Sequence, residues 1–199
     1  MDRTELMTKS ELRKLYLNKR QDLTASQRER LSQKISDNFF QNFDLGKIRV
    51  VHCFISIEKF HEINTAIIFL RLWQDFPHII TTVPKVNFTT GELESLSFLP
   101  DTELSSGRWE IPEPTHNELI EPATIDMVIV PLVCFDLRGH RIGYGKGFYD
   151  RFLLRCRPDC IKVGLTYFPP IDTIEESAVH DVPLNYCVSP DQLFVLKAQ

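Results

Sequence analysis

No apolar run in the sequence approaches the roughly 20 residues that a membrane-spanning helix needs. The polar N-terminus also lacks the apolar core of a secretory leader. There is no basic excess: 23 Lys and Arg against 27 Asp and Glu leave a formal charge of -4, which argues against a chain-wide nucleic-acid surface. Cysteine is sparse and unpatterned. Cys53, Cys134, Cys156, Cys160 and Cys187 are odd in number and scattered, three of them within apolar runs. They read as reduced thiols rather than a disulfide framework. Cys156 and Cys160 lie four apart, but no second ligand pair completes a zinc site. These absences lead to the expectation of a cytoplasmic protein with no membrane or nucleic-acid partner.

Glycine is also uncommon, and it is concentrated. Four of the eight glycines (Gly139, Gly143, Gly145 and Gly147) fall within nine positions of the segment GHRIGYGKGFYDR, residues 139–151. Such a concentration lets successive backbone N–H groups point into one concavity, because glycine tolerates positive φ and has no side chain in the way. The segment follows the most hydrophobic strand candidate, Met127–Phe135, and precedes a helix expected from about Phe148 to Arg157. In open α/β sheets, ligands bind at the carboxyl ends of strands, and helix N-termini attract phosphate. Arg141 and Lys146 would add mobile positive charge. The spacing is neither GxGxxG nor the Walker pattern, so the reading of a polyphosphate site rests on position. The alternative is a wide connection that needs glycine only for its bends.

The rest of the chain supports an α/β fold. Thr8–Glu11 and Thr24–Gln27 fit capping boxes that open two helices, the first carrying Leu12, Leu15, Tyr16 and Leu23 and the second Leu31, Ile35 and Phe39. Residues 49–57 read as a strand, 64–76 as a helix and 79–83 as the next strand, an order that suggests a parallel sheet. A hairpin is expected where 86–88 and 93–98 flank Thr89-Thr90-Gly91, and the proline-bearing stretch 100–124 as a long extended connection. Residues 161–167, 186–189 and 193–196 complete the strands. The expected architecture is one domain over residues 1–199: a three-layer αβα unit with a mainly parallel central sheet and small β-hairpin additions. His52, His61, His78, His116 and His140 show no pairing signal and read as surface or core histidines.

The glycine segment, with Pro131 and Phe135-Asp136 ahead of it, resembles the signature G-x-R-(L/I)-G-x-G-x-G-(Y/F)-Y-D of the 5-formyltetrahydrofolate cyclo-ligase family, although Ile142 and Phe148 stand where leucine and tyrosine are common. Further elements occur in the same order: Lys9-Ser10-Glu11-Leu12-Arg13, Glu62-Ile63-Asn64-Thr65, Trp109–Pro114 and His180-Asp181-Val182-Pro183. The resemblance covers essentially the whole chain. It implies ATP- and Mg²⁺-dependent cyclisation of 5-formyltetrahydrofolate to 5,10-methenyltetrahydrofolate. It places Lys9, Ser10, Glu11, Leu12 and Arg13, with Arg141, Ile142, Gly143, Tyr144, Gly145, Lys146, Gly147, Phe148 and Tyr149, around ATP. Arg141 and Lys146 then act on the transferring phosphoryl group. For the folate it implies Ile55, Glu62, Trp109, Tyr144, Gly145, Lys146, Gly147 and Phe148, and for Mg²⁺ Asp150 and Asp181. A monomer is expected.

Two other readings share these features: an ATP-independent αβα enzyme acting on sugar phosphates or CoA esters, and a non-catalytic module whose basic first helix docks nucleic acid.

Overall fold

The computed structural model describes residues 7–106, 112–115, 117–175 and 181–197. Two helices open the chain, α1 (Lys9–Gln21) and α2 (Ala25–Asn42). Both begin where local chemistry dictates. The Thr8 hydroxyl accepts the Glu11 amide, while the Glu11 carboxylate accepts the Thr8 amide at 2.9 Å. Thr24 and Gln27 repeat this reciprocal arrangement, which satisfies amides that a helix start leaves without partners.

The sheet strands follow: β1 (Val50–Cys53), helix α3 (Ala66–Asp75), β2 (Ile80–Asn87) and β3 (Glu92–Ser97). A two-stranded ribbon, β4 (Leu104–Ser106) and β5 (Pro112–Pro114), comes next. Then come β6 (Met127–Pro131), the short pair β7 (Cys134–Phe135) and β8 (Arg141–Ile142), helix α4 (Phe148–Leu153), β9 (Ile161–Leu165), β10 (Tyr186–Val188) and β11 (Leu193–Val195). The central sheet has the order β11-β10-β9-β6-β1-β2-β3. It is parallel from β10 to β2 and antiparallel at both edges.

The two faces bury alternate residues of each strand. Val51, Cys53 and Ile129 pack with Ile35 and Phe39 of α2 and Ile68 and Leu72 of α3. Val50, Val128 and Val130 face the other way, onto Phe152 and Leu153 of α4. Full burial of a side chain such as Phe39 or Leu72 stabilises the fold by about 1.5–3 kcal/mol. Helix α1 does not lie on a sheet face. Its Leu12 and Tyr16 pack on Val133, Cys134 and Ile142, across the carboxyl ends of the strands.

Several expected elements differ in extent. The strand expected over 49–57 stops at Cys53, and the one expected over 127–135 breaks after Pro131, which has no N–H to continue the ladder. The strand and hairpin arm expected as 79–83 and 86–88 form one strand, β2. Pro84 is tolerated there because β1 pairs only with residues 80–82 and ends before reaching it. The connection 100–124 holds the β4–β5 ribbon. Helix α4 is six residues long, ending well short of Arg157.

The topology decides where a site can form. From β1 the chain moves to β2 on one side and later returns to β6 on the other. The carboxyl ends of β1 and β6 therefore flank a crevice where the connections diverge, the position at which open α/β sheets bind ligands. Residues 54–62 leave β1 there, and residues 132–147 leave β6.

Candidate active site

The glycine segment divides into two parts. Gly139 belongs to the fold: its φ is +89°, and a Cβ would sit 2.7 Å from the Leu184 carbonyl oxygen. Gly145 belongs to the site: its φ is +87°, and a Cβ would approach the Arg13 guanidinium to 3.4 Å. Arg13 reaches over from α1 and donates from Nε to the Gly143 carbonyl at 2.7 Å. The amides of residues 143–147 donate to no other described residue, and Gly145 and Lys146 are exposed. This loop therefore presents N–H groups beside a cation. Helix α4 adds less than its expected length implied, because six residues build only a small dipole.

The five α1 residues implied at the nucleotide separate in the structure. Lys9 and Arg13 face the loop region. Glu11 serves the capping box, Leu12 is core, and Ser10 is exposed. Lys9 pairs with Asp181 at 2.6 Å. Arg141 is not the mobile cation expected. Its side chain is 6% exposed, pairs with Asp150 at 2.7 Å and also donates to the Val182 carbonyl oxygen. Burial lowers its pKa, an effect opposed mainly by Asp150. Lys146 is the exposed cation of the loop.

Asp150 and Asp181 come together although they lie far apart in sequence. Asp150 Oδ1 accepts the Val182 amide at 3.2 Å, so the residue after Asp181 is tied to Asp150. Among the described residues, no group of three or more His, Cys, Asp or Glu could hold a metal unaided. Two carboxylates beside an open amide loop fit Mg²⁺ completed by phosphate oxygens and water, rather than a metal held wholly by protein.

Across the crevice, Glu62 is held by a network that sequence reasoning did not find. Tyr144 Oη donates to Glu62 Oε1 at 2.5 Å, and the Ile57 amide donates to Oε2 at 2.7 Å. Arg20, 3% exposed, donates to Tyr144 Oη at 3.0 Å and to the Leu132 carbonyl at 2.7 Å. Burial raises the Glu62 pKa, against the opposing influence of Tyr144, Ile57 and Arg20. Burial, followed by the Glu62 charge, raises that of Tyr144. The signal that could have found Arg20 is its spacing: Leu12, Tyr16 and Arg20 recur every four residues, so the buried stripe of α1 runs through it.

Arg20, Glu62, Phe54, Ile63, Pro131, Leu132 and Leu165 line the crevice. Ile55, expected at the folate, is half-buried and packs against the core cluster that also holds Phe54, Ile63 and Leu165. Phe148 packs beside the α4 core, and the Tyr149 hydroxyl is buried without a hydrogen-bond partner among the described residues. Ile142 is core. Trp109 lies outside the described residues, as do His116 and His180. Of the other histidines, His52 is buried against Thr82 and Ser95, and burial pushes its pKa down to about 3. His140 faces Asp136, and His78 faces the Leu45 carbonyl. No helix of the described residues is long and apolar enough to cross a membrane.

Comparison with known proteins gives one answer. The model of the 5-formyltetrahydrofolate cyclo-ligase family matches residues 5–189. The 5-formyltetrahydrofolate cyclo-ligase of Haemophilus influenzae is 30% identical over 162 residues, 80% of this chain and 83% of the relative. The solution structure of Aquifex aeolicus 5,10-methenyltetrahydrofolate synthetase superposes with a TM-score of 0.81 at 32% identity, covering 96% of this chain and 93% of that one. The Mycoplasma pneumoniae synthetase gives 0.74 at 26% identity, with 92% and 99% covered. Family model, relatives and neighbouring structures agree over nearly the whole length, and the chain belongs to the 5-formyltetrahydrofolate cyclo-ligase family.

Proposed function

We propose that the carboxyl end of the sheet binds ATP and 5-formyltetrahydrofolate side by side, with the 143–147 loop gripping the phosphates and Glu62 the pterin ring. By family membership the chain is a ligase that cyclises 5-formyltetrahydrofolate to 5,10-methenyltetrahydrofolate in an ATP-dependent reaction. The observation that carries the residue assignment is the row of amides at 143–147, without hydrogen-bond partners among the described residues, in the loop that Arg13 reaches and whose Tyr144 bonds Glu62.

The chemistry asks for this juxtaposition. A formamide carbonyl is a weak electrophile, and its oxygen is a poor leaving group. Attack of the formyl oxygen on the γ-phosphorus releases ADP and makes that oxygen part of a phosphate ester. N10 then attacks the formyl carbon, inorganic phosphate departs, and the ring closes. The protein's task is to hold the two reactants in line and to neutralise charge on the transferring group. Lys9, Arg13 and Lys146 supply cations around the loop, with Arg141 holding Asp150 in place. Asp150 and Asp181 would hold Mg²⁺, which when bound offsets charge on phosphate oxygens. The Lys9–Asp181 pair would then open, freeing Lys9 for the nucleotide.

Glu62 suits the pterin for a countable reason. An ionised carboxylate has about four acceptor sites. Tyr144 and Ile57 take one on each oxygen, leaving one on each for two parallel N–H donors on a ring edge. Tyr144 thereby belongs to both halves of the site, in the loop by sequence and at the folate by contact. The exposed backbone of Gly145–Lys146, together with Gly147 and Phe148, would meet both ligands at the reacting oxygen.

The proposed enzyme acts as a monomer. All five cysteines are free thiols, in keeping with a reducing cytoplasm. The test is a single assay. Methenyltetrahydrofolate absorbance should grow with 5-formyltetrahydrofolate, ATP and Mg²⁺ present, and not without ATP. Folded protein that forms no product rejects the reading. Asp150→Asn should raise the Mg²⁺ concentration needed for half-maximal rate, and an unchanged metal titration would remove Asp150 from the metal site.

A further inference from the structure

Arg20 is an anomaly of composition and burial. It stands in the last turn of a strongly basic helix, yet it is 3% exposed. Among the described residues it makes no ion pair within 4 Å, and its buried Nε has no hydrogen-bond partner. A buried guanidinium without a carboxylate partner and with an unmet donor is destabilising to the fold. Stability therefore does not explain its presence.

Its contacts do. Arg20 holds the Leu132 carbonyl with one terminal nitrogen and the Tyr144 hydroxyl with the other, and that hydroxyl ends on Glu62. Leu132 follows β6, Glu62 follows β1, and Tyr144 belongs to the glycine loop, so one side chain from α1 ties the two connections that line the crevice to the loop beside it. The Tyr144 ring is fixed on its other side by Phe60, at 5.3 Å between centroids.

We propose that Arg20 is a positioning residue for the folate ring, acting through Tyr144 to keep the Glu62 carboxylate ionised and turned to receive two ring N–H donors. This rests on Glu62 being the pterin acceptor. The groups facing Glu62 are Arg20 from α1, Tyr144 from the loop, Tyr149 from α4 and the Ile57 amide, while Tyr167 bonds its main-chain carbonyl and the adjoining His61 ring is partly buried. Arg20 is the cation among those that the structure brings to bear on it. Burial already draws Glu62 towards protonation. A protonated Glu62 would lose an acceptor site and present an O–H to the ring's own donors. Removing the Arg20 charge raises the pH below which this happens.

The test is the KM for each substrate, measured with pH, in Arg20→Met, Arg20→Lys and Tyr144→Phe. Arg20→Met should raise the KM for 5-formyltetrahydrofolate roughly tenfold near neutral pH, as expected for loss of support to one charged hydrogen bond. The KM for ATP should change by no more than about twofold, the size of coupling between groups that share no contact, since Arg20 bonds neither Arg13 nor the loop amides. The acid limb of kcat/KM for the folate should move to higher pH, and Arg20→Lys should return most of it. Tyr144→Phe deletes one oxygen and should shift the limb in the same direction by less; it carries the test alone if Arg20→Met fails to fold. Equal increases in both KM values, or an acid limb that does not move, overturns the role of Arg20. Glu62→Gln separates the two levels. If it leaves the folate KM unchanged, the pterin assignment itself is wrong. If it raises that KM while neither Arg20→Met nor Tyr144→Phe moves the acid limb, only the role given to Arg20 fails.

Discussion

Two acids stand on the connections that leave β1 and β6, one fully buried and one partly, and they are treated in opposite ways. Asp136, fully buried after β7, is saturated with donors. Its oxygens accept the amides of Arg138, His140 and Ile174 at 3.0 Å each, two nitrogens of the Arg138 guanidinium and the His140 ring. Glu62, on the connection after β1, receives one hydroxyl and one amide. Asp136 has lost its water and Glu62 part of it. Asp136 has had it replaced completely, and the result is a knot that joins the β7–β8 turn to residues 171–174. Glu62 has had it replaced by half, and the result is a carboxylate with acceptor capacity aimed at a crevice. Donor count, together with access to the crevice, separates an acid that holds the fold from one that waits for a ligand.

That contrast can be broken at several points. The largest expected effect is on the structural acid: Asp136→Ala leaves the Arg138 guanidinium with only the Ile174 carbonyl and removes the acceptor of three amides. It should lower unfolding free energy by about 2–4 kcal/mol, the cost of leaving several hydrogen-bond donors unmet, read by urea denaturation. A loss below about 1 kcal/mol would show the knot to be dispensable. Next comes Glu62→Gln, which should reduce kcat/KM for the folate by roughly a hundredfold, because it replaces two charge-assisted acceptor sites with an amide. The same variant should be at least as stable as the parent at neutral pH. The sign follows from linkage. A carboxyl whose folded pKa is raised stabilises the fold below its unfolded pKa, and that contribution is lost as pH rises through the folded value. The gain in melting temperature from Glu62→Gln should therefore be present at neutral pH and vanish in acid; a gain confined to acid would contradict it. The smallest effect belongs to His140→Ala. The His140 amide still serves Asp136 after the ring is gone, so activity should be unaltered and stability should fall by only about 1 kcal/mol.

What could be read from the chain alone was whatever depends on near neighbours. The capping boxes at Thr8 and Thr24 were legible because both partners lie within one turn. The glycine cluster was legible because four glycines in nine positions leave an unusual local backbone. Element ends were less so. Nothing in Phe54–Ile57 says that the strand stops at Cys53; it stops because the chain turns where β2 and β6 diverge, and the Ile57 amide goes to Glu62. Arg141 read as a free cation because its partner, Asp150, is engaged only once the β8 strand and α4 are packed. Arg20 was hidden by its company, since a basic residue among Lys14 and Lys19 looks like a solvated face. Only the period that links it to Leu12 and Tyr16 pointed inward.

By itself, then, the sequence determined the helix starts, the buried strands, the amide-rich loop and the family, all written in short-range spacing and ordered motifs. The tertiary structure alone decided which charges act as ligands and which are spent on protein. Arg20, Glu62 and Tyr144 are separated by dozens of residues, and Asp150 and Asp181 likewise. Whether such groups meet depends on how α1 docks over the strand ends and where the sheet changes direction. A side chain's chemistry is set by its neighbours and its access to water, and those exist only after the chain has folded.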